Sequence, residues 1–289
     1  LAARPPRVKI GTAVMLNALR HPVHLAHSIA TIDNISDGRI ILGLGAGRSN
    51  NQMFVDEHAA VGVPIEERAA RMEESIDVLR KLWTEDDVSN PEGFYPLTGM
   101  TLEPRPVQQP VPIWLSSNWV QRGLRRVAAQ GDGWITNVPS TEMFTRCWDK
   151  IEEKGQELGR DVSRIPRALY ISINLNDEDE ALSEGDGFMR AYYGIPYEVV
   201  SKQLLCVFGP AQKAIDAIKR YKDAGADILF PDALASEEDF RSFADAVPGP
   251  KMCNMTEFGR TPYFTAEQFQ DMGYAIVIWP ATSMRVAAG

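Results

Sequence analysis

At 289 residues the chain is long enough for one barrel-sized domain with a sizeable core, and its 44% hydrophobic and 24% charged residues are ordinary globular usage. A formal net charge of −9 leaves no basic surplus to neutralise phosphates, which excludes a general nucleic-acid binder. The three cysteines, Cys147, Cys206 and Cys253, lie far apart, giving neither a metal-ligand spacing nor a disulfide framework, so a reducing cytoplasm is the expected compartment. No run approaches the apolar length that spans a bilayer and no signal peptide is read at Leu1, so no membrane association is expected.

Short branched apolar runs alternate with segments of helical period. RVKIGTAV (Arg7–Val14) reads as a buried strand, followed by apolar residues at helical spacing over His21–Ile35 and a turn at Ser36-Asp37-Gly38. Arg39–Gly45 is the next strand. The clearest amphipathic helix spans Glu66–Trp83, with Ala69, Met72, Ile76, Leu79 and Leu82 near one face. A Pro- and Gly-rich loop, 90–112, is too polar for a core element. Strand Pro112–Leu115, a helix near Gly123–Ala129, strand Gly133–Thr136, helix Thr141–Leu158 and strand Leu169–Leu175 follow. Helix Ala211–Ala224, strand Asp227–Phe230, helix Glu237–Ala246, strand Lys251–Met255, a helix around Ala266–Met272 and strand Ala275–Trp279 complete the chain. Strands separated by helices imply parallel pairing, and eight of them suffice for a (β/α)8 barrel, with a doubly wound open sheet as the competitor.

GLGAG, Gly43 to Gly47, follows a strand, but Arg48 stands where a dinucleotide fingerprint requires glycine. A strand end cleared of side chains, against which a planar ring can lie, is the better reading; a mere tight turn rivals it on spacing alone. Ser116-Ser117-Asn118, between a strand and a helix, suits either a phosphate or ordinary helix capping, and the residues alone favour the cap. His21, His24 and His27 recur at spacing three without an acidic or cysteine neighbour, so a surface or partly buried helix face is expected and no metal. His58 reads as a solvated loop histidine, and the acidic run Asp177–Glu180 as a solvated turn.

Residues 7–47 resemble the bacterial-luciferase-like family of oxidoreductases. The resemblance rests on Gly11-Thr12, Arg20-His21-Pro22, Thr31–Asp33 and Asp37-Gly38-Arg39, then on ERAARMEESIDVLRKLW, Pro104, Pro106 and Pro110, PIWLSSN and GDGWI (Gly131–Ile135). It runs to about residue 210. It implies an α/β, (β/α)8 TIM-type barrel holding flavin mononucleotide (FMN) or a deazaflavin coenzyme at the carboxyl ends of its strands. Ala13 and Val14, where many members carry a non-prolyl cis peptide, would lie beneath the ring. Gly45, Ala46 and Gly47 would line the ring edge, Ser116, Ser117 and Asn118 would hold the phosphate, and Gly133 and Trp134 would lie close by. The resemblance thus moves Ser116–Asn118 from cap to phosphate site. It identifies no firm catalytic acid or base; Arg48 and His58, near the ring edge, are the candidates. Arg48 also stands where some deazaflavin members carry glutamate, which disfavours that subgroup's proton-donor chemistry.

Two features depart from the family. RVKIGTAV corresponds to its third strand, so the first two have no counterpart. Residues 227–289, with NMTEFGRTP at Asn254–Pro262, instead resemble the end of the isocitrate lyase and phosphoenolpyruvate mutase superfamily, methylisocitrate lyase especially. The expected organisation is one barrel domain over 1–289, six strands luciferase-like and two lyase-like: a luciferase-like part (1–210), a crossover in 211–226 and a lyase-like part (227–289). In the lyases Asp232 and Asn254 would match substrate-binding positions and Thr261-Pro262 a substrate-facing loop. The Lys-x-Cys-Gly-His loop and magnesium-binding aspartates have no counterpart, and Cys253 reads as a buried strand residue. The expectation is therefore a flavin-dependent oxidoreductase of luciferase-like monooxygenase type, acting on a small-molecule substrate. Family members often dimerise through barrel helices, so a homodimer is expected too. The alternatives are a carbon–carbon lyase of methylisocitrate type and a folded, inactive barrel chimera.

Overall fold

The computed structural model describes residues 7–50, 52–232, 234, 236–255 and 261–278. The described residues fall into two compact units, one within 9–116, the other within 117–278 together with 7–8.

Unit one contains β1 (Lys9–Gly11), α1 (Pro22–Ser36), β2 (Ile40–Leu44), α2 (Gln52–Ala60), α3 (Arg68–Thr84) and β3 (Ile113–Ser116). β2 is central, parallel to β1 through Ile10–Ile40 and to β3 through Leu42–Ile113. All five β2 residues are buried, as a parallel strand covered on both faces requires. α1 starts at Pro22, whose missing N–H costs nothing at a first turn, and His21 caps it by accepting from the Val23 amide. It ends in left-handed Asp37 (φ 55°) and Gly38 (φ 72°), whose amides close back on Asn34 and Asp33. Asp33 itself is buried and takes both the main-chain amide (2.8 Å) and Nε2 (2.7 Å) of Gln108. Two motifs that carried the family resemblance therefore serve architecture: one ends a helix and the other pins a loop.

The 90–112 segment forms no regular element, yet it does feed the core: Tyr95, Leu97 and Leu102 are buried. Glu74 on α3 holds its start, accepting from Asn90 Nδ2 and the amides of Phe94 and Tyr95 at 2.8–2.9 Å. His58 is a correction. It lies on α2, fully buried, because the polar stretch after Gly47 folds into a helix whose inner face turns it inward.

Unit two contains α4 (Gln121–Gln130), β4 (Gly133–Thr136), α5 (Thr141–Glu157), β5 (Arg167–Leu175), α6 (Glu178–Tyr193), α7 (Tyr197–Val200), β6 (Cys206–Gly209), α8 (Ala211–Asp223), β7 (Ile228–Asp232), α9 (Glu237–Ala246), β8 (Met252–Asn254), α10 (Ala266–Asp271) and β9 (Ile276–Ile278). β5 pairs in parallel with β4 on one side. Its nine residues also serve two more strands, 168–172 pairing with β7 and 172–175 with β6. A parallel bridge, Leu229–Lys251, continues from β7 towards β8, and β8 pairs in parallel with β9.

All eight expected strands form, each parallel and separated by helices. β6 is a ninth that the sequence reading missed. The acidic run 177–180 is the second correction. It is no turn but the start of α6, where Glu178, Asp179 and Glu180 meet the positive end of the helix dipole. Gly185 lies where α6 meets β6, for a Cβ there would strike the Phe208 ring. Residues 256–260, within the expected NMTEFGRTP string, and the expected strand end at Trp279 lie outside the described residues.

Candidate functional site

In unit one the chain beyond β1 runs beside the end of β2. Met15 donates its amide to the Gly43 carbonyl, and Gly45 donates back to Met15. Thr12 Oγ1, a residue the site reading did not use, donates to the Gly43 carbonyl at 2.7 Å and fixes the same register. The peptide between Ala13 and Val14 is cis. Val14 stands 36% exposed at this strand end, an apolar side chain where an apolar face could rest on it. A Cβ on Gly45 would lie 2.7 Å from Val14 Cγ2, so only glycine lets the two segments approach this closely. Gly47 turns the chain with φ 75°. Its carbonyl is approached by Arg68 Nε at 3.5 Å, while the same guanidinium donates to the Ile65 carbonyl and to Ser49 Oγ. Ala46 is half-buried and Arg48 exposed.

Ser116 closes β3, half-buried. In unit two, Ser117 Oγ donates to the Asn118 carbonyl (3.0 Å). Asn118 Oδ1 accepts from Thr136 Oγ1 (2.9 Å) and the Asn137 amide, and its Nδ2 donates to Asn137 Oδ1 (2.8 Å), so this side chain is largely committed to the end of β4. Neither residue caps α4; the N-cap position is Val120, which offers no side-chain acceptor. The amides of the first turn of α4 therefore lack the partner that capping would provide, which is the condition for anion binding at a helix start. Gly133 and Trp134 are buried. Trp134 is fully enclosed and donates its indole N–H to the Ser117 carbonyl at 2.8 Å, so its contact is with the Ser117 backbone. Gly123, which the sequence reading passed over, is required here because a Cβ would collide with Ser117 Oγ. A glycine inside a helix costs about 1 kcal/mol relative to alanine, and that was the available signal.

A cavity of about 330 Å³ in unit two is lined by Ser140, Glu142, Cys206, Lys213, Arg220 and Tyr221 among others. Its thiol is no nucleophile at neutral pH: burial pushes Cys206 up to about 12. Burial raises Tyr221 as well. Glu142 is held below the usual carboxylate range by its own backbone amide first and then by Ser140. Of the lyase-like positions, Asp232 ends β7, Asn254 ends β8, and Thr261 Oγ1 donates to the Leu234 carbonyl at 2.7 Å. His21, His24 and His27 are exposed, and no group of three or more His, Cys, Asp or Glu side chains placed to hold a metal occurs among the described residues. No helix among the described residues is long and apolar enough to cross a membrane.

A sequence model described as luciferase-like monooxygenase matches residues 1–228, and one described as phosphoenolpyruvate phosphomutase matches 205–289. The chain is 55% identical over 82 residues to a 2-methylisocitrate lyase of Bacillus subtilis, covering 27% of each protein. It is 29% identical over 252 residues to an F420-dependent glucose-6-phosphate dehydrogenase of Amycolatopsis mediterranei, covering 79% of this chain and 74% of that one. It thus spans about a quarter of the lyase and about three quarters of the dehydrogenase. Among solved structures it superposes on an F420-dependent secondary alcohol dehydrogenase in complex with an F420-acetone adduct, with a TM-score of 0.66 and 22% identity over 80% of this chain and 75% of that one. That likeness shows a shared fold, and the α/β barrel class expected from the sequence holds. The chain belongs to the luciferase-like monooxygenase family, with a carboxyl-terminal segment of phosphoenolpyruvate mutase and isocitrate lyase type.

Proposed function

We propose that this member of the luciferase-like monooxygenase family is an oxidoreductase that binds FMN or a deazaflavin coenzyme and acts on a small organic substrate. The observation that carries the reading is the strand end in unit one, where exposed Val14 lies beside Gly45, a position that admits no Cβ. A flat apolar ring fits such a surface. The uncapped start of α4 after Ser117 and Asn118 fits a phosphate. The glucose-6-phosphate dehydrogenase and the secondary alcohol dehydrogenase to which the chain is similar are both F420-dependent, which supports the same class of cofactor.

Bound, such a cofactor supplies hydride transfer. The chain's part is binding and orientation. Ala13 and Val14 carry the ring, and Gly45, Ala46 and Gly47 leave its edge uncovered by side chains. Ser116, Ser117 and Asn118 present the phosphate-binding turn, with Gly133 and Trp134 behind it. Of the two catalytic candidates, His58 is enclosed and does not meet substrate, which leaves Arg48, exposed directly after Gly47. The same reading places the protein in the cytoplasm as a homodimer and puts the junction of its two family segments in α8, inside the stretch 205–228 that both sequence models match.

The test is titration of the folded protein with FMN and, separately, with the deazaflavin, followed by ring fluorescence. Saturable quenching is expected, weakened by Ser117→Ala, which removes the Oγ–Asn118 carbonyl bond that shapes the turn before α4. A protein with a cooperative thermal transition that quenches neither cofactor would overturn the proposal.

A further inference from the structure

One stretch of unit two carries positive charge that no carboxylate answers. α4 contains Arg122, Arg125 and Arg126 and has no aspartate or glutamate, although the chain carries a net charge of −9. Arg126 is buried, whereas Arg122 and Arg125 are exposed at spacing three. The guanidiniums of Arg122 and Arg125 make no hydrogen bond or ion pair among the described residues. Elsewhere in unit two exposed cations face acids, as in Arg190–Asp186, Lys213–Glu178 and Arg241–Glu237.

A further cation is brought to the turn before α4. Arg146, exposed on α5, lies over the ring of Trp119 with its guanidinium carbon 4.7 Å from the centroid. That cation–π contact holds the charge in place without neutralising it. Arg146 too has no hydrogen-bonded or ion-paired side-chain partner among the described residues. Trp119 stands between Asn118 and the N-cap residue Val120 and is 38% exposed, and Arg122 belongs to the first turn of the same helix. Two cations therefore serve one short stretch, 119–122, one carried by α4 and the other fixed there from α5. Like charges gathered this way repel in the free protein and favour an arriving anion.

A phosphate at this turn already has donors, the uncapped amides of α4. FMN ends at its phosphate. A deazaflavin coenzyme of the F420 type continues past it into carboxylates, and the planar guanidinium fork matches a carboxylate. We propose that Arg146, held on Trp119, and Arg122 recognise carboxylates that a coenzyme carries beyond its phosphate, and so select a tailed deazaflavin over FMN. The proposal rests on the cofactor reading above for the ring and the phosphate.

The experiment is fluorescence titration of the folded protein with three ligands: the tailed deazaflavin, the same ring on its bare ribityl chain, and FMN. The tailed form is expected to bind most tightly and to lose that advantage between about 0.05 and 0.5 M NaCl, where exposed charges are screened. Arg146→Gln and Arg122→Gln are each expected to weaken the tailed form by about fivefold, the figure for one exposed ion pair. Neither should change affinity for the bare ring, and Arg146→Lys, which keeps the charge, should restore part of the loss. Equal weakening of FMN would put these arginines on the phosphate and overturn the proposal, as would no weakening of the tailed form. If a folded protein binds none of the three, the cofactor reading fails, and wild type and Arg146→Gln are titrated with triglutamate alone, read by Trp119 fluorescence. A saturable change that Arg146→Gln weakens supports carboxylate recognition there; no change overturns it as well.

Discussion

Asp33 on α1 holds Gln108 at the far end of the loop segment of unit one, accepting from its amide at 2.8 Å and from its Nε2 at 2.7 Å while buried itself. Gln108 Nε2 also donates to the Ile40 carbonyl at 2.9 Å, so one pair of side chains ties α1, β2 and the approach to β3 together. Asp33→Ala leaves two donors facing an empty interior. It should lower the unfolding free energy by about 3 kcal/mol, the sum expected for two hydrogen bonds to a charged acceptor. Urea denaturation with an unchanged m-value checks this; a loss below about 1 kcal/mol would show that water replaces the carboxylate without cost.

Gly45→Ala places a methyl group 2.7 Å from Val14 Cγ2, and Val14 cannot yield without leaving its present position at the strand end. The variant is expected to lose about 1–3 kcal/mol of stability through overpacking and to bind flavin at least tenfold more weakly. Gly62→Ala is the control: φ there is 71° but no atom lies within 4 Å, so backbone strain of about 1–2 kcal/mol is the only cost and cofactor affinity is unchanged. Equal affinities for the two variants would refute the role given to Gly45.

Trp134→Phe keeps most of the buried ring and removes the N–H that satisfies the Ser117 carbonyl. A loss of about 1–2 kcal/mol is expected in thermal or urea unfolding, accompanied by weaker FMN binding and little change in affinity for riboflavin, which has no phosphate. If both ligands weaken equally, Trp134 supports the ring rather than the phosphate turn.

Burial raises all three thiols above the ordinary value of 9.0, Cys147 to about 11, Cys206 to about 12 and Cys253 as well. The folded protein keeps these protons after the unfolded chain has begun to lose them. The thiols therefore leave stability unaffected below about pH 9 and reduce it progressively as pH rises from 9 through 11 and 12. Unfolding free energies at pH 7.5 and pH 10.5 should show the decline, and a Cys147→Ala/Cys206→Ala double variant should show a smaller one. At pH 8 the native protein should react with iodoacetamide far more slowly than the urea-unfolded chain.

Local pattern made the strand and helix alternation readable. The apolar face of α3 repeats at helical spacing, and Ile40–Leu44 is a run without a polar residue, followed by Gly45, signals carried by the residues themselves. Family motifs were legible for the same reason, since Gly45, Ser117 and Trp134 stand in contiguous strings. What those residues touch was not. Asn118 spends its amide on Thr136 and Asn137, and Trp134 spends its indole on Ser117, because strands distant in sequence meet only in the folded unit.

The misses share that cause. β6 has four residues, too few to show a period, and is a strand because the long β5 offers it 172–175 as an unfilled edge. Acidic residues at 178–180 suit a turn or a helix start equally until the rest of α6 packs on Phe208. His58 follows Asp56 and Glu57, and Asn17 is a lone polar residue in an apolar run; no local rule says that either side chain is enclosed. By itself the sequence determined the eight strands it predicted, the helices predicted between them and the family, because these follow from short-range periodicity and contiguous motifs. Tertiary structure alone decided which polar groups are enclosed and which find partners, because burial is a property of neighbours that the chain brings together only on folding.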